Sequence, residues 1–221
     1  MPPVMRPARR GVARLAVLVF ALAALPALGA EGEGRVTLQG GWRLTPNDFF
    51  FARAESLGIT RESRSIGGPT VVGTFGYMAT DALEVTIDLF VGFEQLRLSG
   101  REPLSSLTYG GAGGVRYHVP LGSLPFADLS AHVGALLGPT LVLETGGGIP
   151  EPTEELVSGY MASAGLSARS GTMSIALEYR LLLARGFVPG IGGINGGGSW
   201  FGLGVTWWIA AESRPANRGA F

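Results

Sequence analysis

The chain has 221 residues, of which 46% are hydrophobic, and it carries 17 basic and 17 acidic side chains but no cysteine. Without cysteine, disulfides are excluded as the source of its stability. The basic residues are all arginines and are spread along the sequence, so it lacks the basic patch that nucleic-acid binding requires, and nucleic acid is not an expected partner.

Residues 1–30 have the pattern of a secretion signal. Four arginines precede an apolar run from Leu15 to Leu25, and small residues at 27 and 29 suit a signal peptidase. The run is shorter than the ~20 residues of a spanning helix. We therefore expect export through the Sec pathway, with an uncleaved anchor as the alternative. The mature chain is acidic, because every acidic residue lies after Ala30.

Eight segments then alternate between apolar and polar residues, which predicts β-strands with one greasy face. The pattern is clearest after Ala82, where leucine, valine, isoleucine and phenylalanine alternate with Glu84, Thr86 and Asp88. Beyond it the apolar parity changes, and we expect a bulge near Glu94 or Gln95. The predicted strands are 34–44, 70–78, 83–98, 108–119, 126–143, 157–168, 173–185 and 199–210.

The connections between these strands alternate in length. The short ones are 79–82, 120–125 and 169–172, whereas the long ones are 45–68, 99–107, 144–156 and 186–198. The first long connection is predicted to hold a short helix with three consecutive phenylalanines, Phe49 to Phe51, and 186–198 is predicted to be a flexible glycine-rich loop. Short periplasmic turns and longer external loops are typical of outer-membrane barrels.

Aromatic residues fall near both ends of the predicted strands, as expected for two belts at the membrane interfaces. Near the external ends lie Trp42, Phe93, Tyr109, Tyr160 and Phe201; near the periplasmic ends lie Phe75, Tyr77, Tyr117, Phe126 and Trp207. The alternative is a water-soluble barrel, which would turn its apolar faces inward around a ligand.

The polar face of the strands collects charges of both signs, which we expect to form an ionic network in the lumen. The predicted members are Arg35, Arg43, Glu84, Asp88, Arg116, His118, Asp128, His132, Glu178 and Arg180. Buried charges persist only when paired, and eight strands leave room for little more than side chains. A closed lumen is one interpretation, and a narrow pore gated by breaking an ion pair is the other.

The two histidines raise further possibilities. His132 lies near Ser130 and Asp128, a residue set able to support acyl transfer, but we expect no catalytic residues. A third metal ligand at useful spacing is missing, so neither a metal nor a cofactor is predicted. The acidic segment 144–156 lacks the order of a dedicated calcium loop. The late glycines are not followed by the Lys and Ser or Thr of a phosphate loop.

Over residues 34–210 the chain resembles the small eight-stranded outer-membrane barrels of Gram-negative bacteria, the OmpA-domain, OmpX-like and OmpW-like group. The strand pattern carries this resemblance, together with Trp207, Trp208 and Ile209, which look like the terminal signal read by the barrel assembly machinery. Here, however, the chain continues to Phe221. The resemblance implies an all-β, eight-stranded antiparallel up-and-down transmembrane barrel over 31–210, and a short polar periplasmic tail, 211–221.

The resemblance also implies a location in the outer membrane. The expected partners are membrane lipid, lipopolysaccharide and, during biogenesis, the assembly machinery; a monomer is expected. A non-enzymatic envelope-structural or surface-interaction role follows. The alternatives are a narrow OmpW-like channel for small apolar molecules and a lipid A acyl hydrolase or transferase.

Overall fold

The computed structural model describes residues 32–44, 55, 58, 67–80, 82–98, 100–147, 153–188, 192–195 and 197–209. The predicted leader, the segment containing Phe49 to Phe51 and the C-terminal tail lie outside these residues. In the part of the chain that is described, no helix has the length and apolarity needed to cross a bilayer.

Antiparallel strands make up the described fold. Eight of the nine strands found there close into a cylinder, because each pairs with its neighbour in order and the last pairs with the first. The short β8 lies outside the cylinder and pairs only with the end of β7. The strands are β1 Gly34–Leu44, β2 Gly68–Met78, β3 Leu83–Leu96, β4 Leu104–Leu124, β5 Ala127–Gly146, β6 Thr153–Ser170, β7 Met173–Val188, β8 Gly192–Asn195 and β9 Gly198–Ile209.

The predicted barrel is therefore confirmed. Its closure depends on the pairing of its first and last strands, β1 and β9. β1 and β9 are in continuous register from Gly34 opposite Ile209 to Leu44 opposite Ser199. A closed sheet leaves no strand edge along this seam, so the backbone N–H and C=O groups are satisfied within the wall. That condition allows strands to cross hydrocarbon.

The two faces of the wall differ in the way that the alternation predicts. Outward side chains such as Leu203, Ile175 and Val133 are 62%, 64% and 59% exposed, whereas Glu84 and Asp88 on the inner face are fully buried. A water-soluble barrel would show the reverse. The apolar outer wall therefore needs a lipid environment.

Several strands are longer than predicted. β4 and β5 have 21 and 20 residues and are joined by a turn at Pro125 and Phe126. β4 continues through Pro120 and Gly122 by means of a bulge, which is where the register shifts. The predicted turn at 120–125 is wrong for that reason. The predicted loop 186–198 is also partly wrong, because β7 and β8 pair across it.

The bulge expected near Glu94 or Gln95 does not exist. β3 pairs with β4 without interruption from Leu83 to Leu96, and Leu96 is fully buried inside the barrel. The apolar parity changes because apolar side chains such as Leu96 replace polar ones inside the lumen at this height, while the strand itself stays regular.

Substitution of Leu203 tests the orientation of the wall. Leu203 faces outward near the middle of β9, so Leu203→Arg should destabilise the barrel in phosphatidylcholine vesicles by about 2–4 kcal/mol. The matched control is Leu44→Arg, at the end of β1, where the cost should be about 0–1 kcal/mol. Denaturant unfolding followed by the loss of heat-modifiable gel migration measures both; equal effects would contradict a lipid-facing wall.

Candidate functional site

A compact set of ionisable side chains fills the lumen at the end of the barrel where β1 begins and β9 ends, and we call it the lumen cluster. All its members are at most 9% exposed. They come from strands β1, β3, β4, β5 and β7, and each of these strands contributes one or two side chains to the lumen. The lumen cluster consists of Arg35, Glu84, Asp88, Arg116, His118, His132, Glu178 and Arg180.

Asp88 lies at the centre of the lumen cluster. The Nη2 atom of Arg116 donates hydrogen bonds to its two carboxylate oxygens at 3.2 and 3.0 Å, and Nη1 of Arg180 donates to Oδ2. Thr74 Oγ1 donates a further hydrogen bond to Oδ1 at 2.6 Å. One carboxylate therefore holds together strands β2, β3, β4 and β7.

Glu178 is the second carboxylate shared by these arginines. Its Oε1 atom lies 3.3 Å from Arg116 Nη2 and 3.1 Å from Arg180 Nε. Arg180 Nη2 donates to Oε2 at 3.2 Å. His132 Nε2 is 3.5 Å from Oε1. The cluster thus extends from β7 to β5 across the lumen.

Glu84 binds the remaining arginine and the other histidine. Arg35 Nε donates to its Oε1 at 2.6 Å, and His118 Nε2 is 2.7 Å from its Oε2. The rings of His118 and His132 are neighbours, with centroids 5.5 Å apart. The two histidines thus link the Glu84 and Glu178 parts of the cluster by ring contact.

The lumen cluster is electrically balanced when its histidines are neutral, because three arginines face three carboxylates. Removing ions from water costs several kcal/mol for each ion, and close pairing is needed to offset this cost. Asp88, Glu84 and Arg116 are at most 1% exposed, so water does not supply that compensation. The pairing is therefore a condition for folding this interior.

Three glycines provide the space that the cluster occupies. A Cβ atom at Gly134 would come within 2.7 Å of Arg116 Cγ, and one at Gly76 or Gly165 would overlap Glu84 or His132. The glycines lie on β2, β5 and β6, opposite long side chains from other strands.

Two residues predicted for the network lie elsewhere. Asp128 is exposed near the turn between β4 and β5, where Ser123 Oγ donates a hydrogen bond to it at 2.6 Å. Arg43 is buried towards the opposite end of the barrel, where it interacts electrostatically with Glu94. Both have the predicted inward parity, but their heights along the barrel separate them from the cluster.

The half of the lumen nearest the long loops is filled mainly by apolar side chains, which the sequence reasoning missed. Phe90 and Trp200 meet edge to face, with centroids 5.0 Å apart, and the Arg43 guanidinium lies 5.8 Å from the Trp200 ring centre. The sequence signal that could have indicated this apolar filling was the run Leu96, Leu98 and Leu104, whose side chains are all buried. The buried apolar residues are Val72, Phe90, Leu96, Leu98, Leu104, Ala112, Leu136, Val142, Val157, Met161, Leu182, Ala184 and Trp200.

At the opposite end, Trp208 and Arg169 lie across the mouth of the barrel. Trp208 Nε1 donates to Ser174 Oγ at 3.1 Å, and the Arg169 guanidinium stacks 4.3 Å from the Trp208 ring centre. Arg169 also donates two hydrogen bonds to Glu33, at 2.7 and 3.0 Å. This ion pair holds the residue preceding β1 against β6.

The predicted interface aromatics take several positions. Tyr117, Tyr160, Phe201, Trp42, Phe93 and Trp207 are between 41% and 66% exposed on the outer wall. Tyr77 and Tyr109 are half-buried on the same wall, and the Tyr109 hydroxyl donates to Glu154. Phe126 is 72% exposed in a turn rather than on a strand.

The acidic segment 144–156 is not the open loop that the sequence predicts. β5 runs to Gly146 and β6 begins at Thr153, so Glu144 lies on a strand and is 2% exposed inside the barrel. Extended pairing of β5 with β6 places Glu144, Glu154 and Glu155 in the wall, whereas Glu151 lies outside the described residues.

The residues considered for chemistry do not come together. Ser130 hydrogen-bonds Ser167 at 2.7 Å, and Asp128 accepts from Ser123, so both are engaged away from His132. Within the described ranges, no group of three or more histidine and acidic side chains is arranged to hold a metal ion.

A small cavity lies beside Val72 and Trp200. It is also lined by Gln39 and Arg180 and measures about 10 Å³, which is room for about one water molecule.

Comparison with known proteins agrees with the fold. No protein-family model matches the sequence, and no curated protein matches it. Among solved structures, the fold is similar to that of Neisserial surface protein A, with a TM-score of 0.51 and 12% identity over 80% of this chain and 97% of that chain.

Two further solved barrels are similar at lower scores. The N-terminal β-barrel domain of OprF from Pseudomonas aeruginosa has a TM-score of 0.42 and 17% identity, over 80% of this chain and 99% of that chain. For Ail of Yersinia pestis the TM-score is 0.45 and the identity 12%, over 81% and 100% of the two chains. The predicted resemblance to small outer-membrane barrels is confirmed at the level of the fold. With its closed wall of eight strands and its apolar outer face, this chain has the fold of a small outer-membrane β-barrel.

A pair of identical substitutions tests the importance of the lumen cluster. Asp88→Asn removes a buried charge shared by Arg116 and Arg180, and it should cost about 3–5 kcal/mol of unfolding free energy. Asp128→Asn makes the same change at an exposed site and should cost less than about 1 kcal/mol. Urea unfolding in vesicles measures the two; a small effect of Asp88→Asn would show that the cluster is dispensable.

The ion pair of Glu33 with Arg169 predicts a pH dependence. The hydrogen bonds from Arg169 lower the pKa of Glu33 below its ordinary value of 4.5. The pair should therefore stabilise the barrel above that pH and lose its effect as the pH falls through the lowered pKa. Because Glu33 is 41% exposed, the gain over Glu33→Gln should stay below about 1 kcal/mol. Unfolding measured at intervals from pH 7 to pH 2 tests it; a difference between the two proteins that does not shrink as the pH falls would contradict the assignment.

Proposed function

We propose that the protein is a closed, non-enzymatic barrel that serves as a structural element of the outer membrane and presents its loops at the cell surface. The observation that carries this proposal is the filled lumen. The lumen cluster occupies one half of the interior, and the other half is filled mainly by apolar side chains, with Arg43, Glu94 and Glu144 also buried there. Neither half leaves a wide path for a solute.

The lumen cluster argues against steady conduction because its charges are bound to one another. A permeating ion would have to break contacts such as Arg35 to Glu84, at 2.6 Å, or Arg116 to Asp88, at 3.0 Å. Both pairs are buried, so water cannot replace the lost partner without opening the cluster. Gating by such a rearrangement is the competing hypothesis.

The apolar half of the lumen likewise argues against the passage of small apolar molecules. Leu96, Leu104 and Ala184 are fully buried, so the side chains that would line a greasy channel instead pack against one another. A conduit of that kind would need this core to move. A lipid A-modifying enzyme is not favoured, because Ser130, Asp128 and His132 point to different partners.

The partners that accompany this proposal are membrane lipid and lipopolysaccharide along the outer wall, with the barrel assembly machinery during biogenesis. We expect the protein to act as a monomer, since the lipid-facing wall encloses the whole cylinder.

Planar-bilayer recording tests the proposal. The folded wild-type protein, verified by heat-modifiable migration, should give no steady conductance in 1 M salt. The double variant Phe90→Ala with Trp200→Ala opens only the apolar half, so it should also be silent while the lumen cluster remains. A steady unitary current from the wild type would overturn the closed barrel in favour of a channel.

A further inference from the structure

The β4–β5 hairpin projects beyond β3 at the end that carries the short turns, whereas on its other side β6 pairs with β5 as far as Arg169, opposite Asp128. β3 begins at Leu83, opposite Tyr117, whereas β4 continues to Leu124. A strand residue advances about 3.3 Å, and barrel strands tilt by about 40°, so the hairpin extends roughly 15 Å past the start of β3. Short turns mark the periplasmic end of an outer-membrane barrel.

The projecting part is apolar and uncharged from 119 to 127. Leu121, Leu124 and Phe126 are 57%, 44% and 72% exposed. A cluster of large apolar side chains at a turn is unfavourable in water, and removing it from water is favourable in proportion to the apolar area buried. The tip therefore needs an apolar environment.

A strand from another protein is a poor candidate for that environment. Among the described residues, β4 has no strand neighbour on its β3 side beyond Tyr117. Pro120 removes a backbone donor there, and the bulge between Pro120 and Gly122 distorts the edge. Proline and bulges are devices that prevent strand addition. A second copy turned about the membrane normal would bring tilted β4 strands together at a crossing angle, which does not permit pairing.

The hairpin is instead continuous with the surface already assigned to lipid. Its outer face carries on from Tyr117 and Val119, which are 54% and 42% exposed on the wall above it, and from Val133, at 59%. No charged residue interrupts the surface between Tyr117 and Phe126 except His118, which points into the lumen against Glu84. The lipid-facing band is thus taller on this side of the barrel.

We propose that the tip of the β4–β5 hairpin is embedded in phospholipid of the periplasmic leaflet, so that Leu121, Leu124 and Phe126 anchor this side of the barrel. An apolar band that is taller on one side is accommodated by tilt of the barrel or by local thickening of the bilayer. The inference depends on the membrane placement of the barrel but not on the closed lumen.

Site-directed spin labelling tests it directly, because the chain has no native cysteine. Single-cysteine variants Phe126→Cys and Leu124→Cys are labelled with a nitroxide and reconstituted in phosphatidylcholine vesicles. Power saturation then compares access to oxygen, which concentrates in lipid, with access to a water-soluble nickel chelate. Labels at 124 and 126 should give an oxygen-to-nickel ratio several-fold above that of Ser123→Cys, whose side chain lies in the same tip but faces Asp128.

A label at Leu203, in the middle of the wall, separates the possible failures. Nickel-accessible labels at 124 and 126, with an oxygen-accessible label at 203, would overturn the hairpin anchor and leave the barrel in the membrane. Nickel access at all three positions would remove the membrane placement itself. Heat-modifiable migration of every variant confirms that the measured protein is folded.

Discussion

The pairing of β1 with β9 is the constraint on which the rest of this protein depends. In hydrocarbon an unpaired backbone group has no water to bind, so a strand can cross a membrane only within a closed sheet. Closure from Gly34 to Leu44 assigns each residue to one of two environments, lipid or lumen. Composition, charge placement and the filling of the interior all follow from that division.

The two ends of the interior are filled in different ways. Where β1 begins and β9 ends, six ionised side chains balance one another around Asp88 and Glu178, and the histidines add contacts without adding charge when neutral. At the other end, Trp200, Phe90 and the buried leucines pack as a water-soluble core does. Arg43, close to both Trp200 and Glu94, shows that charge also persists in this half.

The alternation of polarity was enough to predict the fold, because a period of two is a local property that β1 and β7 display residue by residue. It also indicated which side chains point inward. It could not predict their heights, since these depend on the register between strands that are distant in sequence; Asp128 and Arg43 were misplaced for that reason. The buried Leu96 was assigned to lipid because leucine suits an apolar core and a membrane equally well, and only packing distinguishes them. The predicted end of β4 was too early, because Pro120 and Gly122 are typical of turns but here belong to a bulge within the strand.

The glycines that face the lumen cluster restrict which residues can replace them. Gly134 has Arg116 against the place where its side chain would be, and Gly76 and Gly165 stand in the same relation to Glu84 and His132. At Gly76 the neighbouring atoms all belong to the side chains of Glu84 and Arg35, whereas a Cβ atom at Gly134 or Gly165 would also come within 3.0 Å of a backbone carbonyl oxygen. A larger residue at Gly76 is therefore compatible with a smaller residue at position 84, and in related sequences these two positions should vary together.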